Sequence, residues 1–137
     1  MAITRERFTE GSSGFIRAQV TNQENVAVTV DQYTVATLTL YDLDTGEIIN
    51  SRDAQDLLSG ASPETGQNDV TFEADGYFQW DLQAAVPNVS PADPGDNRIV
   101  TLRRQIERHR AMFHFAWDGG AFNYEVEIEV ANLRMVS

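Results

Sequence analysis

His109 and His114 are the only histidines in the chain, so imidazole chemistry must come from them. They lie five residues apart in a stretch that reads as strand, so they point to opposite faces and cannot share a metal from that strand alone. A metal site would need carboxylates from elsewhere. Two histidines hydrogen-bonded beside a sheet are the simpler expectation. Asp42-x-Asp44-x-Gly46 opens like a calcium loop, but an EF-hand needs Gly at its sixth position and Glu at its twelfth. Here Gly is fifth and the twelfth residue is Asp53. Flanking strands make it a hairpin turn.

Other chemistries fare no better. There is no cysteine, so thiol catalysis, disulfides and thiolate-held zinc are excluded. There is no lysine, so no phosphate-binding Gly-x-x-x-x-Gly-Lys loop exists. No Gly-x-Ser-x-Gly occurs, and Gly11-Ser-Ser-Gly14 reads as a flexible turn. With 21 acids, a pair of carboxylates close in space is expected by chance. The row Glu125, Glu127 and Glu129 reads as a solvated strand face with cross-strand arginine partners. The residues therefore predict a non-enzymatic protein without catalytic residues, cofactor or metal.

The elements that must carry these residues are short strands. Phe15 to Val20 is a strand, and Val26 to Val30 is β-rich. Tyr33 to Tyr41 alternates, with Thr34, Ala36, Leu38 and Leu40 on one face and Tyr33, Val35, Thr37, Thr39 and Tyr41 on the other. Ser51 or Asp53 is placed to cap a short helix through Leu58. Residues 69–74 and Tyr77 to Leu82 flank the hairpin signal Asp75-Gly76. Gln83 to Asn97 is a long loop with Pro87, Pro91 and Pro94. Strand resumes from about Arg104 and runs through Trp117. After Asp118-Gly-Gly120, Phe122 to Leu133 alternates cleanly. The sum is an all-β, antiparallel sandwich with one short helix.

The terminal hairpin allows a register to be deduced. Apolar residues are odd-numbered before the turn and even-numbered after it, so paired numbers sum to an odd value. A four-residue loop, 118–121, sets Trp117 opposite Phe122, Phe115 opposite Tyr124, Phe113 opposite Val126 and Ala111 opposite Ile128. On the reverse side His114 then faces Glu125, Met112 faces Glu127 and Arg110 faces Glu129.

At 137 residues and 42% apolar composition, the chain suits one globular domain, 1–137. A folded surface of roughly 7,000 Å² is expected for its mass. The net charge is −11, which argues against general nucleic-acid binding and against docking on anionic lipid. No apolar run is long enough to span a membrane, and Met1 to Arg7 lacks the apolar core of a secretory signal, so folding in a cytoplasm is expected. All ten basic residues are arginine. Arg98, Arg103, Arg104, Arg108 and Arg110 fall within 13 residues, so that segment carries +4 and the remainder −15. Arginine's planar fork suits carboxylate contacts. Arg98, Arg103, Arg104 and Arg108, with the Pro87, Pro91 and Pro94 loop, are the candidate contact residues toward another copy or a partner.

Several segments carry a family likeness. Phe8-Thr-Glu-Gly11 precedes a strand, Leu40-Tyr-Asp-Leu-Asp-Thr-Gly-Glu-Ile48 forms a hairpin, and Gly76-Tyr-Phe-Gln-Trp80 is a later strand. Arg108-His-Arg-Ala-Met-Phe-His-Phe-Ala-Trp-Asp-Gly-Gly120 leads to a last Val-Glu-Ile-Glu-Val strand. From Phe8 to Val136 this order resembles the small immunoglobulin-like β-sandwich proteins of tailed-bacteriophage virions, similar in outline to the N-terminal domain of phage baseplate upper proteins. The resemblance implies a structural subunit at the head–tail neck or tail, or decorating the capsid. Its partners would be capsid, portal, neck or tail subunits and copies of itself, with no sequence-specific nucleic acid and no membrane. It would reside in the virion after synthesis in the host cytoplasm. The alternative is a carbohydrate- or calcium-dependent binding module using Tyr33, Tyr41, Tyr77 and Trp80 as an exposed platform. Burial of Trp80 and Trp117 would favour the structural reading.

Overall fold

Strict alternation late in the chain produces the longest ladder among the described residues. The computed structural model describes residues 4–9, 14–49, 52–58, 70–82 and 106–131. Its strands are β1 (Thr4–Thr9), β2 (Gly14–Gln19), β3 (Tyr33–Asp42), β4 (Gln55–Asp56), β5 (Val70–Phe72), β6 (Tyr77–Leu82), β7 (Ile106–Trp117) and β8 (Gly120–Ala131). One sheet has the order β1-β8-β7-β3-β4 and the other β2-β6-β5. This is an all-β sandwich of immunoglobulin-like order: one sheet holds the strands equivalent to G, F, C and C′, the other those equivalent to B, E and D.

Alternation decides which side chains enter the core. Ala36, Leu38 and Leu40 of β3, Ala111, Phe113 and Phe115 of β7, and Val126, Ile128 and Val130 of β8 are all buried. The facing sheet contributes Ile16, Val70, Phe72, Phe78 and Trp80. Phe78 bridges the layers, with its ring centroid 4.8 Å from Phe113 and 4.9 Å from Phe115. Trp80 meets Phe113 edge-on at 5.6 Å. Each such pair adds about 0.5–1.5 kcal/mol beyond area burial.

The β5–β6 connection explains one glycine. Gly76 N–H donates to Glu73 O at 3.1 Å, and Glu73 N–H donates to Tyr77 O at 2.8 Å. Gly76 sits at φ +87°, and a Cβ there would lie 2.8 Å from the Ala27 side chain. Only glycine meets both demands without strain.

Four expectations are corrected. The helix through Leu58 is absent; residues 55–56 are strand β4. Ala54 has φ +50°, Leu40 N–H donates to Arg52 O at 2.8 Å, and Leu57 N–H donates to Ala36 O at 2.8 Å. Pairing with the free edge of β3, plus complete burial of Leu57, outweighs the local helix preference. The helical turn among the described residues is instead a 3₁₀ turn, Val30–Gln32, at the end of the β-rich stretch. It is closed by Gln32 N–H on Thr29 O at 3.0 Å and Thr29 N–H on Gln32 Oε1 at 3.0 Å.

Tyr33 is buried although parity sends it outward. The β3–β7 register shifts between Tyr33 and Val35, and this irregularity turns the ring inward onto Phe115 at 5.3 Å. The terminal hairpin is two residues tighter than deduced: the loop is Asp118-Gly119, Trp117 pairs with Gly120, Phe115 with Phe122 and Phe113 with Tyr124. His114 therefore faces Asn123, Met112 faces Glu125 and Arg110 faces Glu127. A shift of two keeps every side chain on its expected face. Finally, the sheet is not wholly antiparallel. β1, with no apolar alternation to announce it, adds parallel to β8, pairing Arg5 with Glu127 and Arg7 with Glu129.

Candidate functional site

The buried charged residues among those described are Asp42, Arg52, Glu107 and His109, with relative exposures of 1%, 0%, 1% and 3%. Glu107 and His109 are two apart on β7, so they share its inward face. Asp42, the last residue of β3, lies directly opposite His109. The alternation that buries Leu38 and Leu40 carries Asp42 inward as well.

One ligand-capable atom from each of Asp42, Glu107 and His109 lies within 4.8 Å of the other two. His109 Nε2 is 2.8 Å from Glu107 Oε1. Asp42 is anchored by the turn it starts. Its Oδ1 accepts Asp44 N–H at 2.8 Å and Thr45 N–H at 3.3 Å. Its backbone accepts from Gly46 N–H and donates to Glu47 O, both at 2.8 Å. Leu43 N–H donates to Arg108 O at 2.9 Å, fastening this turn to β7. The expected hairpin turn at Asp42 to Gly46 is thus present, and Asp42 works within it as a buried acceptor. Arg52 Nη1 donates to Gln55 Oε1 at 2.8 Å, and its guanidinium carbon stands 5.7 Å from the centre of the Trp80 ring.

An imidazole beside two carboxylates is acid–base and metal-binding chemistry. General-base work needs contact with a substrate proton. At 1–3% exposure, these groups make no such contact in this conformation. Sequence reasoning placed the two histidines on opposite faces, and they are: His109 is buried and His114 exposed, with Nδ1 2.5 Å from Asn123 Oδ1. It missed the carboxylates. The available signal was Glu-x-His on an alternating strand together with a strand end at Asp42.

Arg108, one of the candidate contact residues, is half-exposed and pairs within its own chain, Nη2 to Asp44 Oδ1 at 3.0 Å. Arg98, Arg103, Arg104, Pro87, Pro91 and Pro94 lie outside the described residues. The acidic row of β8 has arginine partners as expected, but two come from β1: Arg5–Glu127 at 3.3 Å and Arg7–Glu129 at 3.0 Å, with Arg110–Glu125 at 3.9 Å.

The aromatic platform is not assembled. Tyr33 and Trp80 are in the core, Tyr41 is half-buried, and Tyr77 lies under the Arg17 guanidinium at 3.8 Å. Arg17 in turn grips Glu73 through two bonds, at 2.8 and 3.0 Å. That clamp holds the Glu73 carboxyl below its ordinary range and raises Arg17, hydrogen bonding being the main cause in both. Trp117 is half-buried. It packs against Tyr33 at 6.5 Å and lines an open hollow of about 290 Å³ with Thr21, Asn22 and Gln23. No helix among the described residues is long and apolar enough to cross a membrane.

Comparison with known proteins adds the following. No family model and no curated protein matches the chain. Among solved structures, the crystal structure of the titin M3 domain is similar over 94% of this chain and 88% of that one, at 11% identity and a TM-score of 0.39.

Proposed function

We propose that this chain is a non-enzymatic structural protein of a tailed-phage virion, a β-sandwich subunit at the head–tail neck or tail, or on the capsid surface. The observation that carries the reading is where the aromatic residues go. Trp80 and Tyr33, half of the platform a sugar-binding module would need, are consumed by the core; Trp117, against Tyr33, is only half-buried, so the expected burial of both tryptophans is met by Trp80 alone. The outer face of the large sheet presents paired arginines and glutamates. The net charge of −11 suits a subunit near packaged DNA, which it repels.

The experiment is mass spectrometry of density-purified particles produced from the genome that encodes this chain. The protein at a fixed copy number per particle, retained through high-salt washing, supports the reading. Its absence from particles while abundant in the lysate overturns it. A saccharide screen read by tryptophan fluorescence tests the alternative module directly.

A further inference from the structure

We propose that Asp42, Glu107 and His109 form a closed structural site for a divalent first-row transition metal, with zinc as the reference ion. The inference is independent of any role in a virion.

Strand geometry builds the site. Residues i and i+2 of one strand, plus the residue directly opposite one of them on the neighbouring strand, project three side chains to one point. Glu107, His109 and Asp42 occupy those positions on the hydrogen-bonded pair β7 and β3. Their donor atoms already converge within 4.8 Å, and the closest two are 2.8 Å apart. Ligands at 2.0–2.2 Å from a tetrahedral zinc stand roughly 3.4 Å from one another. Movements on the order of 1 Å therefore bring all three onto a metal, with the direct Glu107–His109 bond among the contacts exchanged.

Supporting contacts orient the ligands. Two backbone N–H groups hold the Asp42 carboxylate, the role that outer hydrogen bonds play around metal ligands. The ladder on both sides of His109 fixes its strand. Two carboxylates supply anionic donors, and neutral His109 is the metal-binding form of the imidazole. The donor set selects the ion. One imidazole nitrogen and two carboxylates suit zinc and its neighbours, whereas calcium takes six to eight oxygens and magnesium keeps several waters. Exposures of 1–3% exclude such a hydration shell, so the fourth position of a tetrahedral ion falls to the second oxygen of a carboxylate. They also mean that metal enters during folding or local opening.

The test refolds the purified chain with equimolar zinc, removes excess metal, and measures metal content and melting temperature against a chelated sample. About one zinc per chain, a higher melting temperature reversed by chelation, and no shift with calcium or magnesium are expected. Cobalt in place of zinc should give the visible absorption of a four-coordinate site. His109→Gln and Asp42→Asn should each lose the bound metal, while His114→Gln should keep it. Wild-type protein that carries no stoichiometric zinc and gives no cobalt spectrum after refolding overturns the proposal, whatever the variants do. So does stoichiometric zinc retained by a folded His109→Gln.

Discussion

The indole of Trp117 lies against Gly120, its partner across the end of the β7–β8 ladder, so closely that a Cβ at position 120 would stand 2.8 Å from three of its atoms. Gly120→Ala must displace the ring from Tyr33 and should cost about 1–3 kcal/mol. Urea unfolding followed by tryptophan fluorescence measures it. In a Trp117→Leu background the same substitution should cost markedly less, because the obstructing ring is gone. An undiminished cost there would place the strain in the backbone.

Phe113 touches Phe78, Trp80 and Tyr124 at the centre of the sandwich. Phe113→Ala should destabilise by about 3–5 kcal/mol through lost burial and a cavity between the sheets. Phe15, with 59% of its surface exposed on β2, is the control. Phe15→Ala should stay within about 0.5 kcal/mol of wild type. Equal effects would contradict the layering described above.

The attachment of β1 should depend on salt. Arg5 and Arg7 pair with Glu127 and Glu129 across a parallel edge, and both arginines are largely exposed. Replacing both by Gln should cost no more than about 1 kcal/mol per pair, and less at high ionic strength. Hydrogen exchange should show the loss at the amides of β1 while the β7 amides stay protected. Loss of protection through β7 would mean that β1 is integral to the sheet's stability.

Alkaline pH should act through Tyr33. Burial pushes its hydroxyl well above the ordinary tyrosine value, and the hydroxyl donates to Val28 O at 3.3 Å. The unfolded chain therefore releases this proton first as pH rises. Stability is fully present below the ordinary tyrosine range and declines above it toward the folded-state value. Tyr33→Phe should lose about 0.5–1.5 kcal/mol at neutral pH and show a shallower alkaline decline. Parallel alkaline curves for the two proteins would contradict this.

Acid should act through Glu73. The Arg17 clamp depresses its carboxyl, so its contribution is present above the ordinary carboxylate range and is lost as pH falls through the folded-state value. Glu73→Gln should flatten the acid side of the stability profile and leave the alkaline side unchanged. An NMR titration should place Glu73 below its ordinary value in wild type and return it upward in Arg17→Gln.

Local chemistry was enough to read much of this fold. The period-two patterns of Tyr33 to Tyr41 and Phe122 to Val130, and the Gly-centred turns, depend on neighbours within a few residues. They foretell the strands, the faces apart from the start of β3, and the places of the turns, but not the register of the last hairpin. What needs distant atoms was not legible. β1 is polar and alternates charge, so only the glutamates of β8, more than a hundred residues later, make it a strand. Residues 52–58 have helix-forming composition, and only the free edge of β3 turns them extended. Tyr33 enters the core because a ladder irregularity reverses its parity. The hairpin register, by contrast, was carried by a local signal that was passed over, the two-residue Asp118-Gly119 turn with Gly119 at φ +95°. The buried trio was half visible: Glu107 and His109 share a strand face by sequence alone. Asp42 joins them because β3 and β7 are laid side by side in one register, and register is set by the whole ladder.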